Sequence, residues 1–294
     1  MAVSKSSSDN FIISTGRTGT KFLIYLLKEL FEGIDARHEP PPIPYKLRFE
    51  FGTKKIQLEK GIRSFIKERY KLHKSINKKC YIESNPYLCL LIPIIRNVFN
   101  NYKVVYIVRD GRDWLRSAIS RGIYSSYIHK TQFPLVPLLR FIPIKILFYI
   151  QKILKLNLKP LIRDVYRIRA IDFDNDPFRK SWFAMTQFEK LAWKWDKLNT
   201  AVFEAIKNDQ NVLIIKFEDI FNYDKDFAGF FKILDHFGLK LDNNTVRLKI
   251  RELFSKKINK TVNYKIPHWK DWNLKLTKRF NLIANGTMHL YEYY

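Results

Sequence analysis

The sequence predicts an α/β fold of three layers, a mostly parallel central sheet with helices on both faces. Two observations carry this. Short apolar runs at Phe11–Ser14, Cys80–Glu83, Lys103–Val108 and Asn211–Lys216 alternate with longer stretches of helical periodicity. The run Lys103-Val-Val-Tyr-Ile-Val108 is moreover almost unbroken in its apolar character, as in a strand buried on both faces.

Taken in order, residues 1–10 are polar and Ser-rich, which predicts a flexible start with no secretory leader. The strand that opens at Phe11 is stopped by Thr15 and Gly16, and Phe22, Leu23, Leu26, Leu27, Leu30 and Phe31 then follow at helical spacing. Pro40, Pro41, Pro42 and Pro44 predict an irregular, extended stretch after His38-Glu39. A basic helix is expected over 54–72, a helix near 87–100, and another from Gly111 to Arg121. Residues 122–180 break the rhythm and are expected to be a helical insertion, with a Lys-studded apolar helix ending near Leu158. A long helix around 182–208 carries Trp182, Phe183, Phe188, Leu191, Trp195, Leu198 and Val202, and short helices are expected after the last strand. The whole of 1–294 reads as one domain.

Composition narrows the function classes. With 46% apolar and 15% aromatic residues, the chain can offset the entropy of folding and is not disordered. Cys80 and Cys89 are too few for a disulfide framework or a four-ligand zinc site, which suggests a reducing, cytoplasmic setting. The formal charge of +25 demands an anionic partner. Nucleic acid is not expected, because zinc-finger spacing, an aromatic-glycine RNA-binding signature and heptads after a basic run are all missing.

The segment Gly16-Arg17-Thr18-Gly19-Thr20-Lys21 is the most informative stretch. A strand turning through two glycines into a helix gathers backbone N–H groups and a positive helix end around one point. Arg17 and Lys21 add two charges, and Thr18 and Thr20 add hydroxyl donors. A nucleotide-triphosphate loop would need Gly-x-x-x-x-Gly-Lys-Ser/Thr, whereas here Thr20 separates Gly19 from Lys21. A strand ending in a magnesium-holding aspartate is not evident either, so no metal is expected.

Ser14-Thr15-Gly16-Arg17-Thr18-Gly19-Thr20 resembles the 5′-phosphosulfate loop of the cytosolic and glycan sulfotransferase superfamily. A second motif of that family, a strand followed by Arg-Asp-x-Arg-Asp and then a serine, is similar to Val108-Arg109-Asp110-Gly111-Arg112-Asp113-Trp114-Leu115-Arg116-Ser117. The resemblance implies a P-loop NTPase-like fold and 3′-phosphoadenosine 5′-phosphosulfate (PAPS) as donor. It places Gly16 to Lys21 around the 5′-phosphosulfate and Arg109 and Ser117 on the 3′-phosphate. Pro267-His-Trp269-Lys270-Asp-Trp272 resembles the family's C-terminal Trp-Lys segment and brings Lys270, or Lys265, into consideration for the same phosphate.

Sulfuryl transfer needs positioning, charge stabilisation and a base. Arg17 occupies the position of the family's loop cation and is expected to neutralise the leaving phosphate, assisted by backbone N–H groups. Glu39 is the first choice of base, His38 the second and Glu83 the third, the first two lying where an open α/β sheet places its ligands. A hydroxyl of a carbohydrate or glycolipid is the expected acceptor. Arg140, Lys145, Lys152 and Lys155 among apolar residues of 133–158 read either as a core helix with snorkelling cations or as a helix lying on an anionic membrane. A kinase-like phosphotransferase and a non-catalytic nucleotide- or polyanion-binding protein are the alternatives.

Overall fold

Every apolar run expected to be a strand is one, and a fifth strand joins them at the sheet edge. The computed structural model describes residues 9–70, 72, 80–126, 129, 139, 140, 142, 146, 149, 153, 155, 157–221, 227–241, 244–255 and 263–294. Its sheet comprises β1 (Asp9–Ser14), β2 (Ile34–His38), β3 (Cys80–Ser84), β4 (Tyr102–Val108) and β5 (Val212–Lys216), all parallel, in the order β2-β3-β1-β4-β5. β1 lies at the centre, with Phe11 level with Glu83 on one side and Val104 on the other.

β2 escaped the sequence reading because Ile-Asp-Ala-Arg-His offers a single fully buried side chain, Ala36. An edge strand satisfies its backbone on one side only and need not read as apolar. Here the pairing with β3 forms the strand, and His38 comes level with Ser84.

Side-chain alternation along the central strands sets the layers. Phe11, Ile13, Val104, Tyr106 and Val108 face one core, with Trp114, Trp195 and Phe280. Ile12, Val105, Ile107 and Ala36 face the other, with Leu23, Leu27, Phe230 and Ile250. The first core is filled by α4 (Ile92–Val98), α5 (Gly111–Ser120), α7 (Gln187–Ile206) and α11 (Leu274–Leu290), and the second by α1 (Thr20–Leu30), α8 (Phe217–Ile220), α9 (Ala228–Phe237) and α10 (Asn244–Ser255).

Several expected boundaries shift. The stretch read as irregular after the prolines contains α2 (Tyr45–Gly52), and the helix expected over 54–72 is divided into α3 (Leu58–Phe65) and a π-helical turn, Ile66–Tyr70. The break before α3 falls at Lys54, whose φ of 57° cannot continue a right-handed helix. The C-terminal helices are not all short, because α11 runs for 17 residues. Of the expected insertion, α6 (Lys159–Val165) and the segment to Trp182 pack into the first core. Most of the Lys-studded stretch 133–158 lies outside the described residues. Among the described residues no helix is long and apolar enough to cross a membrane.

Candidate active site

The carboxyl ends of all five strands open on one cavity of about 680 Å³. Thr15 to Phe22 line it after β1, Glu39 after β2, Tyr87 after β3, Arg109 after β4 and Phe217 after β5. This is where an open α/β sheet whose strand order reverses leaves a crevice for ligands.

The loop after β1 is wound through the left-handed region, with φ of 88° at Gly16, 60° at Arg17 and 67° at Gly19. At Gly19 the glycine is required twice over, since a Cβ would also stand 2.6 Å from the ring of Phe221. Gly19 caps α1 without a side-chain hydrogen bond, and the first turn holds no acidic residue, so this helix end keeps its positive field for a ligand. Thr18 Oγ1 is buried in the loop and, among the described residues, has no hydrogen-bond partner, an arrangement folded proteins rarely leave uncompleted.

Two buried tryptophans hold the loops that carry the phosphate-binding candidates. Trp114 donates from its indole nitrogen to the carbonyl of Gly16 at 2.7 Å, and Trp195 donates to the carbonyl of Arg109 at 3.1 Å. Gly111 lets this happen: a Cβ there would lie 2.8 Å from the Trp195 ring.

Within this frame Arg17 and Ser117 meet directly, Arg17 Nε donating to Ser117 Oγ at 2.9 Å. Arg109 donates to the carbonyl of Arg17 at 2.9 Å and lies 4.4 Å over the ring of Phe217. Arg17, Ser117 and Arg109 are thus brought to one place by two motifs far apart in sequence. Burial, with Arg121 and Arg109 nearby, lowers the Arg17 guanidinium to about 10, so it stays charged at neutral pH. Lys21 also lines the cavity from the first turn of α1.

Across the cavity stand His38 and Glu39, with His38 Nε2 and Glu39 Oε1 3.6 Å apart. Glu39 has a φ of 47°, an uncommon conformation for glutamate. Burial raises its carboxyl above the ordinary carboxylate range, offset in part by Arg163. Burial and then the charge of Lys21 push the His38 imidazole down to about 4, while its Nδ1 lies 3.3 Å from Ser84 Oγ.

Two sequence candidates stand elsewhere. Glu83 is fully buried inside the sheet, paired with Arg69 and accepting from Asn85 Nδ2 at 3.0 Å. Arg69 also donates to the carbonyls of Pro42 and Pro40, so the pair anchors the proline stretch and does not face the cavity. Lys270 is not brought to the cavity either: its side chain is exposed, with Nζ 5.8 Å from the Trp269 ring.

Other lining residues were not anticipated. Phe217, Phe221, Phe254 and Tyr264 make an aromatic wall beside Arg109, with the rings of Phe217 and Phe221 4.6 Å apart. Arg48, Arg163, Arg167 and Lys194 give the opposite end a second set of cations. Nothing in local sequence marks these, since they converge from separate elements.

No family model and no curated protein matches the chain. Among solved structures it is similar to the mouse sulfotransferase SULT7A1 complexed with PAP, at 16% identity and a TM-score of 0.47, with 96% of this chain and 85% of that one covered. It is similar to the sulfotransferase domain of the Synechococcus PCC 7002 olefin synthase at 10% identity and a TM-score of 0.43, covering 95% and 96%. A sulfotransferase from Alicyclobacillus acidocaldarius is similar at 12% identity and a TM-score of 0.39, over 95% of this chain and 96% of its own.

Proposed function

We propose that this chain is a sulfotransferase that takes a sulfuryl group from PAPS and delivers it to a hydroxyl of a carbohydrate or glycolipid. The observation that carries the reading is the convergence of Arg17, Ser117 and Arg109 at the mouth of a left-handed glycine loop whose Thr18 hydroxyl lacks a partner. A glycine loop at a helix start fits one phosphate group, and Arg109 with Ser117 fits a second. The aromatic wall of Phe217, Phe221 and Tyr264 offers ring surface on which a purine can stack. A doubly phosphorylated adenosine satisfies all three features.

When bound, PAPS supplies a sulfuryl group activated by its phosphate leaving group. The loop amides and Arg17 hold the phosphate and offset the charge that gathers on it. Glu39 accepts the proton of the acceptor hydroxyl on its carboxylate, its raised proton affinity suiting a base. His38, neutral at physiological pH, lies against that carboxylate without competing for its charge. Lys21 lines the cavity, and its charge, which reaches His38, draws negative charge toward this end of it.

Titration calorimetry with adenosine 3′,5′-bisphosphate against ATP and magnesium tests the reading. Micromolar binding of the bisphosphate, weakened at least tenfold in Arg109→Ala and in Ser117→Ala, supports it; preference for ATP would support the kinase-like alternative instead.

Contact of 133–158 with an anionic membrane belongs to the glycolipid form of this proposal. Ile146, Tyr149 and Ile153 are 47%, 65% and 57% exposed, which favours that contact over burial in a core. Deleting 133–158 is expected to abolish sedimentation with phosphatidylserine vesicles, and unchanged sedimentation rejects it.

A further inference from the structure

The cavity has more positive charge than the donor uses. Apart from Arg17, Lys21, Arg109 and Arg121, its wall carries Arg48 from α2, Arg163 from α6, Arg167 just after α6, and Lys194 from α7. The two sets are electrostatically distinct. Arg121 and Arg109 weigh most on Arg17, whereas Arg167, Arg48 and Arg163 are the cations that weigh on Lys194.

Burial makes the second set unusual. Arg48 is 6% exposed and Lys194 7%, so both cations have left water. Arg167 is matched by Asp164 at 2.7 Å, but among the described residues neither Arg48 nor Lys194 has a carboxylate partner. Arg48 faces the Tyr87 ring at 5.1 Å and the thiol of Cys89, and its Nε has no hydrogen-bond partner among the described residues. The Lys194 ammonium is 5.7 Å from the rings of Trp114 and Tyr124. Burial, reinforced by Arg167 and Arg48, holds the Lys194 amine well below the ordinary lysine range. A buried basic group is costly to charge without an anion beside it. Two of them on one cavity wall are explained by an anion that completes them.

We infer that the acceptor carries its own oxyanion, a carboxylate, sulfate or phosphate, seated between Arg48 and Lys194 while its hydroxyl faces Glu39. This rests on the sulfotransferase reading for the identity of the hydroxyl, but the anion position itself does not. A neutral sugar or lipid alcohol would leave both cations uncompensated, so selection for an anionic acceptor follows from desolvation as well as attraction.

The test uses the full chain saturated with adenosine 3′,5′-bisphosphate, so that the first set of cations is occupied, and titrates it with inorganic sulfate and with acetate. Saturable binding of at least one probe is expected, weakened about tenfold or more in Arg48→Met and in Lys194→Met. Preference for sulfate would indicate a tetrahedral sulfate or phosphate on the acceptor, and preference for acetate a carboxylate. Because an anion beside Lys194 raises an amine that burial holds low, wild-type binding is also expected to be linked to proton uptake at the pH where that amine titrates, read from calorimetry across a pH series in buffers of different ionisation enthalpy; this readout needs no variant to fold. Binding of neither probe, or binding without proton uptake that Lys194→Met leaves unchanged, overturns the inference. If the bisphosphate fails to bind but sulfate or acetate still binds with proton uptake, the sulfotransferase reading falls and the second anion site stands.

Discussion

Arg17 and Ser117, 100 residues apart in sequence, share a 2.9 Å hydrogen bond in which the guanidinium Nε donates to the serine hydroxyl. The loop that follows β1 and the helix that follows β4 are therefore one binding surface, and a change in either reaches the other. Ser117→Ala removes both a donor to the ligand and the contact that orients Arg17. Loss of a hydrogen bond to a charged group corresponds to about 1.5–3 kcal/mol, so the affinity for adenosine 3′,5′-bisphosphate is expected to fall about 10- to 100-fold by calorimetry. Ser117→Thr, which keeps the hydroxyl, is expected to recover most of it.

The indole of Trp114 supports the same loop from beneath. Trp114→Phe keeps an aromatic ring in the core but leaves the Gly16 carbonyl without its 2.7 Å donor. A buried acceptor stripped of its partner costs about 1–3 kcal/mol. The unfolding free energy from urea titration is expected to drop by that amount, lowering the midpoint, with weaker bisphosphate binding as the loop loses its support. A variant with unchanged midpoint and affinity would show that the loop holds its shape unaided.

The architecture was largely legible in the sequence because buried parallel strands advertise themselves: Val104 to Val108 and Phe11 to Ile13 are apolar on both faces. The two motifs read as phosphate-binding were legible as local structure for a related reason, since each is a local strand–turn–helix with its charged residues inside one short window. What stayed hidden is whatever the fold assembles from afar. β2 is made by its pairing with β3, not by its own residues, and Arg69 finds Glu83 only after the sheet has formed. Nothing in local sequence marks Arg48 or Lys194, and both are buried only once separate elements of the fold pack together.

That hidden pairing separates two carboxylates the sequence could not rank. Glu83→Gln should break the buried pair with Arg69 and lower stability by about 3–5 kcal/mol, visible as a large loss of thermal midpoint. Glu39→Gln should leave the midpoint near wild type and lower kcat by about 100- to 10,000-fold, the range for loss of a general base. A folded Glu83→Gln with wild-type stability and no activity would move the base to Glu83.

The acid side of the stability profile depends on His38. In the fold its imidazole is held at about 4, against 6.5 in the unfolded chain, because burial and Lys21 disfavour the charged ring. The unfolded state therefore binds more protons between those values, and stability falls as pH drops from 6.5 toward 4. Glu39 acts with the opposite sign. Its folded carboxyl is raised by burial, so ionising it as pH rises costs the native state, and acidification returns that cost. Replacing His38 by glutamine removes the first term and keeps the second. The variant is expected to lose less stability than wild type between pH 6.5 and 4, by about 2 kcal/mol after allowing for the side chain's 25% exposure. His129, buried and also held at about 4, retains part of the acid sensitivity in both proteins. Urea unfolding at pH 7, 5.5 and 4.5 checks the difference; parallel profiles for the two proteins would mean that His38 is charged in the fold and that Lys21 does not reach it.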